Sequence, residues 1–352
     1  MKKYGSDDIM KKILVQTYDT AFQNSAGGVK NRILRTVEVL KKNGIQVDFF
    51  DKFHTKVEDY DVLHVFMLKE ESYSLIKYAK AKGLKVVVSS IVILSGKLQL
   101  RLYWWIRRLP IMTTYKLLFN ICDLADVIIV ETPKEAVFLQ KYYHVSNEKI
   151  KIIPNGADRP NNGNDSIYSE IGRKCNYALQ VGRFDANKNQ LNVIKAMKHT
   201  GIEVVFIGGA SPAEPEYYEK CIQEARGADN FHFLGWLSTE SELFQSAYSN
   251  AKVIISSSYH ETFGLTILEG IMAGANPVVS NTLPILEYDV LKKGCLSFNP
   301  YNVYEIRNTI KQAMTNRNSK FIENELSSKV ESFFSWDNVA KEHIDAYGIE
   351  IK

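Results

Sequence analysis

Short runs of β-branched and other apolar residues alternate along this chain with stretches whose apolar positions recur every three or four residues. That alternation is the pattern of parallel sheets joined by crossover helices. In the first half it places strands at Lys12–Gln16, Gln46–Phe50, Val62–Phe66, Lys85–Ser89 and Val127–Glu131. Val29–Asn43 reads as the first crossover helix, stopped by Gly44 after two lysines. In the second half strands are expected at Tyr177–Val181, Glu203–Gly208, Phe231–Leu234, Val253–Ser256 and Pro277–Ser280. Helices are expected between them at Asn189–Lys198, Glu216–Gly227, Glu240–Asn250 and Leu265–Ala273.

The two sets are separated by Ile153-Pro154-Asn155-Gly156-Ala157-Asp158 and then Pro160-Asn161-Asn162-Gly163-Asn164-Asp165, the strongest turn composition in the sequence. The boundary is placed there, giving domains 1–158 and 159–335. The expected fold class is α/β, with two Rossmann-like parallel-sheet domains facing a central cleft, where ligands of such sheets bind.

Composition narrows the class. A chain of 352 residues exceeds what one core usually organises. With 45% hydrophobic and 24% charged residues it is an ordinary globular sequence, not a disordered one. A net charge of +4 gives no ground for a nucleic-acid partner, and none is expected. Cys122, Cys175, Cys221 and Cys295 are far apart with no CxxC pair, which argues against a zinc site or disulfide framework. Met1–Lys12 is polar, and no apolar run approaches the length of a membrane span, so a cytoplasmic protein is expected.

Residues 98–120 depart from the pattern. Arg101, Arg107, Arg108 and Lys116 are interleaved there with Tyr103, Trp104, Trp105, Ile106, Leu109 and Ile111. Exposed, the segment would make a peripheral contact with the inner face of a membrane. The other reading is a core helix with solvated arginines, broken at Pro110.

The chemistry concentrates in Ser256-Ser257-Ser258-Tyr259-His260-Glu261-Thr262-Phe263-Gly264-Leu265-Thr266-Ile267-Leu268-Glu269-Gly270. A strand ends, a loop carries Glu261 and Gly264, and a helix begins near Leu265. Unpaired N–H groups and the helix dipole make such a helix start a phosphate site. Glu261 is placed to accept from sugar hydroxyls and Glu269 from a ribose diol; the other reading is a solvated loop Glu and a helix-surface Glu. Glu269 sits in an apolar string where an unpaired carboxylate would be costly.

The second element is Val181-Gly182-Arg183-Phe184-Asp185-Ala186-Asn187-Lys188-Asn189, a strand ending in glycine and followed by two cations. Arg183 offers a planar fork and Lys188 a mobile point charge, a pair suited to a diphosphate leaving group. The third is Gly27-Gly28 between the first strand and helix, which suits close approach to an anion, the other reading being simple turn glycines. It is not GxGxxG and gives little support to a dinucleotide-dependent oxidoreductase.

Taken together, Gly182-Arg183 with Lys188, the Glu261–Glu269 segment and Ala273-Gly274-Ala275-Asn276-Pro277-Val278-Val279 resemble the retaining family 4 glycosyltransferases, the group 1 glycosyl transferases. Gly27-Gly28, the turn at 153–158, Ile207-Gly208-Gly209 and Phe233-Leu234-Gly235 also match. The resemblance spans most of the chain, with its specific motifs in the second half. It implies the GT-B arrangement, with 1–158 as the acceptor-binding domain and 159–335 as the donor-binding domain. A helix after Ser335-Trp336 would cross back, so that 336–352 completes the first domain.

The resemblance also implies roles. Arg183 and Lys188 would bind the donor diphosphate and, with Glu261, form the catalytic set. Gly182 and Glu269, the backbone of Phe263, Gly264, Leu265 and Thr266, and Gly27 and Gly28 would bind donor. The leaving phosphate would help take the acceptor's proton. No cofactor and no metal are expected, since Asp59-Tyr60-Asp61 reads as solvated turn acids and not as a metal motif.

Two positions depart from the family. Many members carry a His after the strand corresponding to Lys85–Ser89, where this chain has Ser89-Ser90-Ile91-Val92-Ile93. His64, at the end of the preceding strand, is the nearby acceptor-site candidate, against a core-packed histidine. Gly270 stands where alanine is usual, which loosens the helix slightly.

The expected function is retaining transfer of a hexose-type sugar from a UDP- or GDP-sugar to a sugar or lipid-linked glycan acceptor, in polysaccharide, lipopolysaccharide or glycolipid assembly. The alternative is a non-catalytic nucleotide-sugar-binding subunit or sensor with the same fold.

Overall fold

The computed structural model describes residues 11–19, 21–22, 28–92, 96–261, 263–315 and 319–349, with only backbone at Gly28 and 319–324. The chain divides into two compact units, Met1–Asn155 with Trp336–Lys352, and Gly156–Ser335.

The first unit contains β1 (Lys12–Thr17), α1 (Gly28–Lys42), β2 (Gln46–Phe49), β3 (Val62–Phe66), α2 (Tyr73–Ala81), β4 (Lys85–Ser89), α3 (Lys97–Ile106), α4 (Thr114–Leu124), β5 (Val127–Val130), α5 (Pro133–Phe138) and β6 (Ile150–Ile152). Its strands form one parallel sheet in the order β2-β1-β3-β4-β5-β6. Helices cover both faces, so β3 is buried at every position and reads as a continuous apolar run.

The C-terminal helix, Trp336–Tyr347, returns to this unit and buries Val339, Ile344 and Tyr347 against the face that carries α1. Full burial of such a side chain stabilises the fold by roughly 1.5–3 kcal/mol. A polar pin adds to it, because the Tyr347 hydroxyl lies 2.8 Å from His64 Nδ1. The other ring nitrogen, Nε2, lies 2.9 Å from Ser89 Oγ. His64 is wholly buried with both nitrogens taken by protein groups, and burial holds its pKa well below the usual imidazole value. The expectation that His64 faces an acceptor is therefore corrected: it is a neutral histidine of the core.

A second buried polar contact ties α1 to the end of β5, where Arg32 Nη1 pairs with Glu131 Oε1. Nearby, Glu135 accepts from the Ser90 hydroxyl at 2.6 Å and from the backbone N–H of Val92 at 3.1 Å. The Asp59-Tyr60-Asp61 run precedes β3, at the N-terminal ends of the strands. Asp61 Oδ2 accepts from the Lys12 backbone N–H at 2.8 Å there, a structural bond at the end of the sheet away from the strand C-termini.

The second unit contains α6 (Ser166–Ile171), β7 (Tyr177–Val181), α7 (Gln190–Met197), β8 (Glu203–Ile207), α8 (Pro215–Ala225), β9 (Phe231–Phe233), α9 (Glu242–Ser249), β10 (Val253–Ser256), α10 (Leu265–Met272), β11 (Asn276–Ser280), α11 (Asp289–Gly294), β12 (Leu296–Phe298), α12 (Val303–Thr315) and α13 (Ser319–Phe334). Its parallel sheet runs β12-β11-β10-β7-β8-β9. The chain builds β7, β8 and β9 outward in one direction, then returns to lay β10 against the other side of β7. The sheet therefore has its topological switch point between β7 and β10, where ligands of such sheets bind.

The expected strands are all present, with ends within a residue or so of the pattern. Two were not foreseen, β6 and β12, each three residues long and each at a sheet edge. Strands that short show no periodicity. The segment 98–120 forms two helices, α3 and α4, with Pro110 in the exposed turn between them.

Candidate functional site

The loops after β7 and β10 flank the switch point of the second unit, and they carry most of the donor-site candidates. β7 ends at Val181, and Gly182 follows with φ at +153°. A Cβ on Gly208, at the end of β8 with φ at +133°, would fall 2.1 Å from the Gly182 carbonyl oxygen. These two glycines let the backbones after β7 and β8 lie against each other. Phe184 then anchors the loop in the core, its N–H donating to Gly209 O at 2.8 Å.

Asp185 organises the two cations. Its Oδ2 accepts from Arg183 Nε at 2.9 Å, and its Oδ1 accepts from the Lys188 backbone N–H at 2.9 Å, capping the helical turn Ala186–Lys188. The Arg183 side chain stays about half exposed and is held through its Nε. Asn189 takes the left-handed conformation, with φ at +59°, and turns the chain into α7.

The loop after β10 is laced to the loop after β7. Ser257 Oγ donates to Lys188 O at 2.8 Å, Tyr259 N–H to Asn187 O at 2.9 Å, and Asn187 Nδ2 to His260 O at 2.8 Å. This brings Lys188 Nζ onto Glu261 Oε1. The Ser258 hydroxyl donates to the same oxygen at 2.7 Å. Both members of the pair are partly shielded and reachable from solvent.

Gly264 follows with φ at +116° and is the N-cap of α10, where it contributes no side-chain cap. Leu265 and Thr266 form the first turn, half-buried. The Phe263 side chain packs into the core against Tyr288 and Phe334, so only its backbone can line a ligand. Glu269 lies just over one turn into α10 and accepts from the buried Tyr248 hydroxyl at 2.9 Å. Burial pushes the Glu269 carboxyl up to about 7; the Tyr248 bond works against this and the nearby Asp158 with it.

Gly182, Arg183, Lys188, Glu261, Phe263, Gly264, Leu265, Thr266 and Glu269 thus share one end of one sheet. Gly28 opens α1 in the other unit, and Gly27 lies outside the described residues. Sequence reading missed Asp185, Ser258, Tyr248 and Trp236, whose indole packs where a Cβ on Gly209 would sit. Asp185 was findable, since an acid three residues before Lys188 at a helical turn is a cap signal. Ser258 stands three residues before Glu261 in the same loop, whereas Tyr248 and Trp236 are brought near only by the fold.

Residues 165–327 match the model of the glycosyl transferases group 1, and residues 52–159 that of Glycosyltransferase Family 4. An uncharacterised glycosyltransferase of Methanocaldococcus jannaschii is 24% identical over 226 residues, 60% of this chain and 56% of the relative. The D-inositol 3-phosphate glycosyltransferase of Corynebacterium glutamicum is 28% identical over 178 residues, 46% of this chain and 42% of the relative. The chain spans about half the length of the curated relatives it matches.

Among solved structures, the sucrose-phosphate synthase of Thermosynechococcus elongatus superposes with a TM-score of 0.73 at 19% identity, covering 96% of this chain and 98% of that one. Anabaena HepE in complex with UDP and glucose gives a TM-score of 0.72 at 15% identity, covering 96% and 99%. With the two matched segments spanning most of the chain and two Rossmann-like sheets of the GT-B type, this protein belongs to the group 1, or family 4, glycosyltransferases.

Proposed function

We propose that the protein transfers a sugar, with retention, from a UDP- or GDP-sugar to a hydroxyl of a glycan or glycolipid acceptor. The observation that carries this reading is the Lys188–Glu261 pair at the switch point, beside the start of α10. A donor entering there exchanges that pair for better partners. Lys188 turns to the diphosphate with Arg183, and Glu261 accepts from hydroxyls of the sugar. Glu269 takes the ribose diol.

In the transfer step the bond between the anomeric carbon and the phosphate oxygen breaks, and the acceptor oxygen bonds to that carbon on the same face. The acceptor proton passes to an oxygen of the leaving diphosphate. Arg183, Lys188 and the first-turn amides of α10 neutralise the charge that develops, so the reading calls for no divalent ion. Full activity in EDTA is the expected result, and a strict metal requirement would count against it.

The HepE neighbour was solved with UDP and glucose, which puts the uridine series first among donors to screen. Relatives in the O-antigen mannosyltransferase group support cell-surface glycan assembly as the setting. For the acceptor, the reading takes a cleft of about 1020 Å³ in the first unit at the C-terminal ends of β1 and β2. Tyr18, Phe22, Phe49 and Tyr78 give it aromatic faces for sugar rings, and Asp19 and Glu71 give it hydroxyl acceptors.

A second reading keeps nucleotide-sugar binding without turnover. It is favoured by the Ser89-Ser90 run, where many members carry a His and where the Ser90 hydroxyl is committed to Glu135. Thermal unfolding with UDP, GDP, ADP and NAD, followed by donor hydrolysis and transfer assays, separates the two. A ligand at a hundred times its Kd adds roughly 2.7 kcal/mol to the folded state. Stabilisation by UDP or GDP with turnover supports the transferase, and stabilisation without any turnover supports the sensor. Stabilisation by NAD alone would overturn both.

A further inference from the structure

α3 of the first unit has two faces of opposite use. On one, Leu100 is buried, Tyr103 stacks on Tyr115 of α4 at 4.4 Å, and Trp104 stacks on His144 at 3.9 Å. Arg107 lies 3.4 Å over the Trp104 ring and pairs with Asp123 at 3.2 Å. That face holds α3 to the domain. On the other, Leu98, Leu102 and Trp105 recur at spacings of four and three and stand in solvent, Leu98 81% and Trp105 84% exposed. The turn into α4 adds exposed Leu109, Ile111 and Met112. Six large apolar side chains grouped on one rim form a patch that needs a partner.

Charge identifies the partner. From Ser72 to Cys122 the chain has nine Lys and Arg residues and no Asp or Glu. Lys97, Arg101 and Arg108 are exposed among the apolar residues of the rim. Apolar side chains with a tryptophan, interleaved with cations in a segment that itself carries no acid, match the boundary between acyl chains and anionic headgroups. α3 is ten residues, about 15 Å, and no described helix is long and apolar enough to cross a membrane, so the fit is to lying on a bilayer.

We propose that the protein docks on an anionic lipid surface through Leu98, Leu102, Trp105 and the 109–112 turn, with Arg101 and Arg108 at headgroup depth. The inference does not rest on the transferase reading, since it uses none of the donor-site residues. Structure also sharpens which part of 98–120 is involved: Tyr103, Trp104 and Arg107 belong to the domain side.

The test is co-sedimentation of the full chain with phosphatidylcholine vesicles, with and without added phosphatidylglycerol. The wild type is expected to bind the anionic vesicles, less so at high salt. Leu102→Ser with Trp105→Ser removes binding, and Arg101→Gln with Arg108→Gln lowers it roughly thirtyfold. All four positions are solvent-facing or half so, and unchanged unfolding midpoints check that the variants fold. Quenching of tryptophan emission by brominated lipid in the wild type gives a readout that needs no variant. No binding to anionic vesicles, or binding that both variants retain, overturns the proposal. So does self-association of the wild type, lost on Leu102→Ser with Trp105→Ser and without vesicle binding, because the patch would then be an interface between copies.

Discussion

Lys188 and Glu261, 73 residues apart in the chain, are ion-paired across the switch point of the donor-side sheet. The pair places a cation and a carboxylate side by side, one suited to phosphate and the other to sugar hydroxyls.

Replacing either member by alanine is expected to lower turnover by about a hundredfold to a thousandfold, the range for removing one preorganised electrostatic contact. Both side chains are partly open to solvent, so the unfolding midpoint should stay close to that of the wild type. Steady-state kinetics beside a melting curve checks this. Full activity in either variant would remove the pair from the reaction.

Donor binding should strengthen as pH rises from about 6 to 8. Glu269, with its carboxyl raised to about 7, must ionise to accept from a ribose diol. The linked stability term has the opposite slope. With a folded pKa above the unfolded value, the contribution of this carboxyl is fully present below about pH 4.5 and is lost as pH rises through about 7. Titration calorimetry with UDP or GDP across this window should show an inflection that Glu269→Gln removes. An unchanged profile in that variant would assign the inflection elsewhere.

Gly208→Ala should damage the donor end of the sheet without touching any charged residue. Its Cβ would fall on the Gly182 carbonyl oxygen, backbone against backbone, at a φ of +133°. The clash must push the loop after β7 aside, moving Arg183 and Lys188 with it. Loss of nucleotide-induced stabilisation is expected, with a melting point several degrees lower. Gly227→Ala, also at positive φ but with open space around it, is the control that separates backbone strain from the clash.

Arg32 and Glu131 are both buried, so replacing either one breaks a buried ion pair. Arg32→Met or Glu131→Leu alone should cost about 3–5 kcal/mol, while the double substitution should recover much of it. Chemical denaturation of the four proteins gives the cycle. Additive losses would show that the pair is not coupled.

The strands of both sheets were legible because parallel sheets covered on both faces leave near-continuous apolar runs. Val62–Phe66, Lys85–Ser89, Tyr177–Val181 and Val253–Ser256 end where the pattern puts them. Gly182 and Gly264 were legible as backbone positions, one directly after β7 and one at the start of α10, while Arg183, Lys188 and Glu261 stood out by residue type in the loops after β7 and β10. β6 and β12 were not, being too short for any period to appear.

The sequence by itself determined the α/β class, the positions of the sheet-forming runs and the residue types at the strand ends. These follow from local rules of periodicity, glycine conformation and helix capping. Only the tertiary structure decided partnerships over long separations. It seated His64 between Ser89 and Tyr347, 283 residues away from the latter, and so made it a core residue and not a ligand contact. It joined Glu269 to Tyr248, and turned Trp104 inward while leaving its neighbour Trp105 in solvent. Adjacent residues on a helix differ by about 100° in direction, so which of two tryptophans meets the core depends on where the neighbouring helix packs.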